Sequence, residues 1–276
     1  LQGHHLRSVG TVRNYEQGLT RVAEWTQRER LPGGLRAMTP ELAIRYLEQR
    51  GQEVGQKALD MERQAMQAMM QHVTGQLAHG ARIPVIKSEQ AQVLTARAYT
   101  APQVALIAAA QTPRHGLATE LAYAAGLRAH ELLTLRRGEE RAADPRPALA
   151  SKWQGRNGVI YTVHGKGGLV REVLLPHTLA ERLEAVRLDA PLAITDRGIH
   201  YQSHYDIGGG QRWSNSVSAA SERALGWSTG AHGLRHSYAQ ERMAELQASL
   251  SRDAALTTVS QEMGHFRPEI TETYLR

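Results

Sequence analysis

Three separated segments of the sequence place guanidinium or imidazole side chains at the start of a predicted helix or in a tight turn. They are the segment 125–132, which contains Arg128, the run His232-Gly233-Leu234-Arg235-His236, and the pair Gly264-His265, with Tyr274 nine residues after the histidine. His232 and Arg235 are three residues apart, so they share one face of a helix. Near the N-terminus of that helix, the free backbone N–H groups favour an anion. These residue types therefore suit an anionic group such as phosphate, which arginine holds with a planar fork of donors.

The composition narrows the classes of function. The 276 residues include 33 basic and 27 acidic side chains, and only four of the basic residues are lysines, so 29 are arginines. An arginine-rich basic chain suits a phosphate-bearing partner, although a GC-rich genome produces the same bias. Cysteine is absent, which excludes disulfides, thiol catalysis, iron–sulfur clusters and zinc sites made with cysteine.

The sequence also lacks the motifs of several other classes of enzyme. It contains no P-loop, no His-Glu-x-x-His motif and no acidic cluster for paired metal ions, so we expect no cofactor and no metal. No apolar run approaches the roughly 20 residues that a membrane-spanning helix needs. We therefore expect no membrane partner, and the absence of cysteine suits a protein of the reducing cytoplasm. Because residue 1 is Leu, we also expect the sequence to be part of a longer product.

The first third of the chain is predicted to be a small helical domain. Apolar residues recur at helical spacing from residue 9 onward, and Thr39 precedes Pro40 as the N-cap of a further helix. A stripe of methionine and other apolar residues runs from Ala58 to Val73, and we interpret it as core filler. The predicted boundaries are residues 1–88 for this domain, 89–97 for a linker and 98–276 for a second domain.

The second domain is predicted to be mainly helical with one β-hairpin. The hairpin begins at Asn157-Gly158, turns at Gly165-Lys166-Gly167-Gly168 and returns from Leu169 to Leu175. It is the only clear strand signal, and residues 195–215 are expected to be rich in loops. Predicted helices cover residues 102–111, 117–125, 127–136, 178–188, 214–225, 231–248, 253–264 and 268–275. The predicted fold class is mainly α with a small β-hairpin or sheet (α+β).

In the order and rough spacing of its motifs, the sequence resembles the tyrosine recombinases, also called phage-type integrases. The resemblance rests on Gly126-Leu127-Arg128 with Glu131-Leu132, the Gly165-Lys166-Gly167 turn, the His-x-x-Arg-His pattern at 232–236, and Gly264-His265 with Tyr274. The helical N-terminal region is similar to the core-binding domain of that family, which binds DNA. Each motif is weak alone, but five in this order form a strong signal.

The resemblance implies a role for each matching residue. Tyr274 is expected to be the nucleophile that attacks a DNA phosphodiester, leaving a 3′-phosphotyrosyl bond and a free 5′-hydroxyl. Arg128 and Arg235 would hold the two non-bridging oxygens, where fixed donors stabilise the charge of the transition state. Lys166 would protonate the leaving 5′-oxygen as a general acid.

Two histidines and one carboxylate complete the implied site. His232 would hydrogen-bond the phosphate and help to remove the Tyr274 proton, while His265 would donate a further hydrogen bond to the phosphate. Glu131 is expected to orient Arg128. A base or a cationic site is needed, because free tyrosine has a pKa of about 10 and is a poor nucleophile at neutral pH.

Each of these residues also has an ordinary structural interpretation when it is taken alone. Arg128 would pair with Glu131, Lys166 would be a common turn lysine, and Tyr274 would pack its ring. The sequence also departs from the family pattern, since thirty residues separate Arg235 from His265. This spacing predicts a small insertion near residues 250–253.

The implied function is site-specific recombination of double-stranded DNA by a homotetramer on paired DNA sites at the nucleoid. A mobile-element integrase is favoured, while chromosome-dimer resolution and transposon resolution stay open. Two rival functions remain. A catalytically silent DNA-binding protein of the same fold would form no covalent adduct with DNA, and a type IB topoisomerase would relax plasmids that lack a special site.

Overall fold

Separate hydrophobic cores divide the chain into two units. The computed structural model describes residues 9–92 and 94–276, and the units are Leu1–Leu94 and Thr95–Arg276. The division falls inside the segment 89–97 that the sequence assigns to a linker. None of the helices in the described part of the chain combines the length and apolar character needed to cross a membrane.

The first unit is built from helices α1 (Val9–Arg28), α2 (Pro40–Gly51) and α3 (Gln56–Met69). Thr39 caps α2 as predicted, because its hydroxyl accepts a hydrogen bond from the backbone N–H of Leu42 at 3.3 Å. Ala65 and Met69 of the predicted core stripe are buried, whereas the prediction is wrong for Ala58, which is exposed, and for Val73, which is 61% exposed. The α-helical spacing ends at Met69, and a π-helical turn follows at Met70–Thr74, so the stripe does not continue to Val73.

The second unit is mainly helical. Its helices are α4 (Ala101–Ala109), α5 (Pro113–Ala125), α6 (His177–Glu184), α7 (Gly210–Leu225), α8 (Gly233–Gln247), α9 (Arg252–Glu262) and α10 (Pro268–Thr271). A 3₁₀ turn, Glu272–Tyr274, follows α10, so the predicted helix 268–275 is shorter than expected. A large core joins α4, α5 and α7 to the sheet, and a second apolar cluster joins α8, α9 and Tyr274.

The predicted hairpin is present. Strands β2 (Val159–His164) and β3 (Val170–Leu175) pair antiparallel, with Val159 opposite Leu175 and His164 opposite Val170. A short strand, β1 (Arg136–Arg137), adds to the free edge of β2. The prediction of a helix over 127–136 is therefore wrong, and only a 3₁₀ turn, Glu131–Thr134, lies there.

A second hairpin corrects two further predictions. Strands β4 (Arg187–Asp196) and β5 (Ile199–Tyr205) pair antiparallel where the sequence predicts the end of a helix and a loop-rich segment. Most of β4 is exposed, it contains Pro191, and its register shifts between Arg187 and Leu192. A proline inside a run argues against a strand in sequence reasoning, which explains why this hairpin was not predicted.

Candidate active site

A left-handed glycine turn places Arg128 at the end of α5. Gly126 terminates α5 with φ +57°, and a Cβ at this position would lie 2.8 Å from Cδ1 of Tyr238, so a glycine is required there. Two residues later, Arg128 donates from Nη1 to Oε1 of Glu131 at 2.7 Å, and its backbone N–H donates to Oε2 at 2.8 Å. The contact between Arg128 and Glu131 expected from the sequence is present.

Glu131 is the centre of a buried cluster of charges. Its side chain is inaccessible to solvent, and it accepts hydrogen bonds from Arg171 Nη2 at 2.7 Å and Arg171 Nε at 3.3 Å. Arg235 Nη1 lies 3.9 Å from Glu131 Oε2. Burial opposes ionisation, but Arg171, Arg128 and Arg235 together hold the pKa of Glu131 far below its ordinary value. The Glu131 carboxylate therefore binds the guanidinium groups of Arg128 and Arg171 and lies near that of Arg235.

Arg171 is the residue of this cluster that sequence reasoning missed. It lies on β3 in phase with Val173 and Leu175, and all three are buried. A charged residue among the inward-facing positions of a strand is rarely buried without a partner. That irregularity in the alternating pattern is the signal that would have found it.

Arg235 lies in the first turn of α8 and is fully buried. Its Nη1 donates to the backbone oxygen of Gly126, and its Nη2 lies 3.3 Å from the backbone oxygen of Met263 and 3.0 Å from Nε2 of His265. No described residue accepts a hydrogen bond from its Nε. Burial and the nearby Arg128 lower the pKa of Arg235 to about 10, so it remains a cation at neutral pH.

Tyr274 packs among three histidines and one arginine. The centroid of its ring lies 5.3 Å from that of His232, 4.8 Å from that of His236 and 5.0 Å from that of His265. The Arg235 guanidinium carbon lies 5.5 Å from the same centroid, within the range of a cation–π contact. The structure therefore brings together five of the six predicted site residues, namely Arg128, His232, Arg235, His265 and Tyr274.

His236 also belongs to this cluster, although it was not predicted as a site residue. Its Nδ1 lies 3.2 Å from the backbone oxygen of Tyr274, and Gln240 Nε2 donates to the same oxygen at 3.2 Å. His236 and Gln240 are four residues apart on α8, so one face of this helix contacts the backbone of the tyrosine.

The histidines beside Tyr274 are neutral at neutral pH. Burial, reinforced by Arg235, lowers the pKa of His265 to about 3, and burial with Arg97 lowers that of His236 to about 4. His232, at the N-terminal boundary of α8, keeps an exposed face. Loss of hydration among its neighbours and the Arg235 charge nevertheless lower its pKa. A neutral imidazole is able to accept a proton from a neighbouring hydroxyl group.

Lys166 occupies the turn between β2 and β3, where Gly167 and Gly168 have φ values of +80° and +86°. Its side chain lies outside the described part of the structure. A Cβ at Gly165, the preceding residue, would be 3.5 Å from Glu131 Oε1, so the base of this turn adjoins the charge cluster.

Comparisons with known proteins identify the fold. No protein-family model and no curated protein sequence matches the chain. Among solved structures, the XerH site-specific recombinase in a post-cleavage complex with its palindromic difH substrate is similar, with a TM-score of 0.60 and 15% identity over 96% of this chain and 76% of that one. A lambda integrase tetramer bound to a Holliday junction has a TM-score of 0.59 and 16% identity, over 99% of this chain and 73% of that one.

The Tn1549 transposon integrase in complex with transposon right-end DNA is also similar, with a TM-score of 0.55 and 13% identity over 100% of this chain and 91% of that one. The structural neighbours across nearly the full chain are thus tyrosine recombinases and integrases, and the chain has their fold. The predicted fold class is confirmed.

Proposed function

We propose that this chain is a site-specific DNA recombinase that cuts and rejoins double-stranded DNA through a 3′-phosphotyrosyl intermediate. The observation that carries the proposal is the position of Tyr274, whose ring contacts His232, His265 and the Arg235 guanidinium beside the Arg128–Glu131 pair. The shared fold supports it. A hydroxyl nucleophile, neutral imidazoles and buried guanidiniums form a site suited to a phosphodiester.

The proposed cleavage step is a transesterification. As the bond from Tyr274 Oη to phosphorus forms and the bond from phosphorus to the 5′-oxygen breaks, the phenol proton passes to His232. Lys166 supplies a proton to the leaving 5′-oxygen. Arg128 and Arg235 bind the non-bridging oxygens, whose charge grows in the transition state. The reverse step rejoins the strand, so no external source of energy is required.

Within this class we propose a mobile-element integrase that acts as a homotetramer on paired DNA sites at the bacterial nucleoid, in the cytoplasm. The DNA complex of the transposon integrase and the lambda integrase tetramer on a Holliday junction support assembly on DNA. We propose that the helical first unit contributes DNA binding together with the second unit. Phosphate contacts would dominate the affinity, so binding is expected to weaken steeply with salt.

A covalent-trapping gel tests the proposed function. The protein is incubated in EDTA with DNA from the flanks of its own gene and is then denatured in SDS. We expect a protein–DNA band with the wild type and none with Tyr274→Phe, which removes only the nucleophilic hydroxyl. Tyr201→Phe is the matched control, because Tyr201 lies on β5 of the second hairpin, and it is expected to keep the band.

The other outcomes separate the rival functions. An adduct that persists in Tyr274→Phe would remove Tyr274 as the nucleophile. Salt-sensitive binding without any adduct would identify a silent DNA-binding protein. Relaxation of a supercoiled plasmid that lacks the flanking sequences would favour a topoisomerase.

A further inference from the structure

His265 is held between a donor and an acceptor that determine the position of its proton. Its Nε2 lies 3.0 Å from Nη2 of Arg235, and its Nδ1 lies 3.0 Å from Oγ1 of Thr271. A guanidinium group has only donors, so Nε2 of His265 has to accept this hydrogen bond with its lone pair. The imidazole is therefore neutral, and its proton is on Nδ1, where it is donated to the buried Thr271 hydroxyl.

The turn that follows α9 supplies two acceptors to the same guanidinium nitrogen. The backbone oxygen of Met263 and the Nε2 atom of His265 both face Arg235 Nη2. Gly264, between these residues, has φ +70°, and a Cβ there would lie 2.5 Å from Arg171 Cδ, so the tight turn depends on glycine. Its geometry fixes both acceptors relative to α8.

Of the five N–H groups of Arg235, two have no described hydrogen-bond acceptor. One is the second N–H of Nη1, a nitrogen that lies 3.9 Å from the Glu131 carboxylate, and the other is the N–H of Nε, which is the donor left for a ligand. Nη1 donates to the Gly126 backbone, Nη2 faces Met263 and His265, and no described residue accepts from the buried Nε. Both nitrogens of His265 are engaged, so this histidine has no N–H directed at an anion.

We propose that His265 is a positioning residue for Arg235 and not a hydrogen-bond donor to the phosphate. As the Nδ1–H tautomer that Arg235 requires, oriented by its hydrogen bond to Thr271, it accepts from Nη2 and holds the guanidinium so that Nε–H serves the phosphate oxygen. This inference rests on the proposed function for its catalytic meaning, and it changes the role that the sequence resemblance implies for His265.

The charges around His265 preserve this state. Arg235 on α8, Arg128 after α5 and Arg171 on β3 all oppose protonation of the imidazole, and only Glu131 favours it. The aromatic ring of Tyr274 covers the remaining side at 5.0 Å. Burial and the excess of positive charge keep Nε2 unprotonated through the neutral range, so this nitrogen remains a hydrogen-bond acceptor at neutral pH.

Long-range ¹H–¹⁵N correlation spectra of the full-length wild type in the absence of DNA test the tautomer directly. The His265 signals are assigned by their loss in His265→Gln. We expect a neutral ring with the proton on Nδ1 from pH 8 to pH 5. A proton on Nε2, or titration near the ordinary pKa of about 6.5, would overturn the proposal. This measurement does not depend on activity, so it is separable from a failure of the proposed function.

Two substitutions test the catalytic consequence in the adduct assay. His265→Gln keeps an acceptor oxygen near the position of Nε2, whereas His265→Lys keeps a donor and loses the acceptor. We expect the lysine variant to form adduct about 10²-fold more slowly, as for a misplaced catalytic group, and the glutamine variant to stay within about tenfold of the wild type. A lysine variant that equals or exceeds the glutamine variant would show that a donor suffices and would refute the positioning role.

Thr271 supplies an independent variant away from the phosphate. Thr271→Val removes the acceptor for Nδ1–H at nearly constant volume, while Thr271→Ser retains it. Because Arg235 still donates to Nε2, we expect the proton to stay on Nδ1 in both variants. We expect adduct formation to be slower in Thr271→Val than in Thr271→Ser, since only serine keeps the hydrogen bond that orients the ring. A proton on Nε2 in Thr271→Val, or equal rates of adduct formation in the two variants, would contradict the positioning role.

Discussion

Replacing Glu131 with glutamine is expected to destabilise the second unit strongly. The carboxylate is buried and accepts hydrogen bonds from Arg128 and Arg171, while Arg235 lies 3.9 Å away. Arg171 is 3% exposed and Arg235 is not exposed, so neither cation is compensated by water when the negative charge is removed. Glutamine keeps one carbonyl oxygen, but its NH₂ group faces a guanidinium with no acceptor to offer.

The magnitude follows from the cost of an uncompensated buried charge. Removing one partner of a buried ion pair costs about 3–5 kcal/mol. Each charge-assisted hydrogen bond contributes about 1.5–3 kcal/mol, so the loss of two such bonds gives a similar destabilisation. The folded-state pKa of Glu131 is lowered, so its stabilisation is present above the unfolded value of about 4.3 and is lost as the pH falls through the folded value. The full effect is therefore expected at pH 7.

Hydrogen exchange of the protected amides in β2 and β3 measures this change within the second unit alone. Since 1.4 kcal/mol corresponds to a factor of ten, Glu131→Gln is expected to accelerate their exchange by about 10²-fold to 10³-fold or more. Glu172→Gln is the matched control on the same hairpin. Glu172 is 40% exposed and pairs with Lys152 at 2.6 Å, so its loss is expected to cost about 1 kcal/mol or less, about fivefold in exchange. Equal acceleration in the two variants would refute the argument that the Glu131 cluster behaves as a buried charge.

Two further predictions concern stability. Gly126 and Gly226 both end helices with a positive φ, +57° and +78° respectively. A Cβ added at Gly226 would meet no described atom within 4 Å, whereas a Cβ added at Gly126 would lie 2.8 Å from the ring of Tyr238. In urea unfolding, the strain in Gly226→Ala is expected to lower the free energy of unfolding by about 1 kcal/mol, and Gly126→Ala is expected to lower it by at least about 1 kcal/mol more. Equal losses of stability in the two variants would contradict the clash with Tyr238. Burial lowers the pKa of His236 to about 4, so its contribution to stability is present above about pH 6.5 and falls by up to about 1.4 kcal/mol per pH unit toward pH 4. His236→Asn should flatten the decline of the unfolding free energy over that range, and an unchanged slope would show that the imidazole is not buried as a neutral group.

The order of the motifs predicted which residues meet, because each motif also carries the local geometry that positions it. Gly126 ends a helix so that Arg128 turns toward Glu131, and Gly264 forms the turn that brings His265 to Arg235. Such information is local and is visible in single residues and their spacing. Five of the six predicted side chains are therefore found together, and Lys166 lies on the predicted hairpin turn.

The contacts that the sequence did not predict depend on how separate elements pack. Arg171 reaches Glu131 only because the register of β2 and β3 directs it inward beside a turn that is 40 residues away in sequence. His236 reaches the backbone of Tyr274 because α8 packs against the last turn of the chain. The missed hairpin of β4 and β5 has a different cause, since Pro191 interrupts the alternating pattern of β4 and argues against a strand in the sequence.

The packing of the site also determines which substitutions alter catalysis without altering the stability of the fold. Arg128, Arg171 and Arg235 share one buried carboxylate, so replacing any of them alters the charge balance of the core as well as the candidate catalytic surface. A loss of activity in those variants is interpretable only beside a measured stability. Tyr274 differs, because its side chain packs through its ring, and phenylalanine preserves that ring together with the backbone oxygen that His236 contacts. The hydroxyl of Tyr274 is thus the one group whose removal tests the chemistry while leaving the architecture that presents it in place.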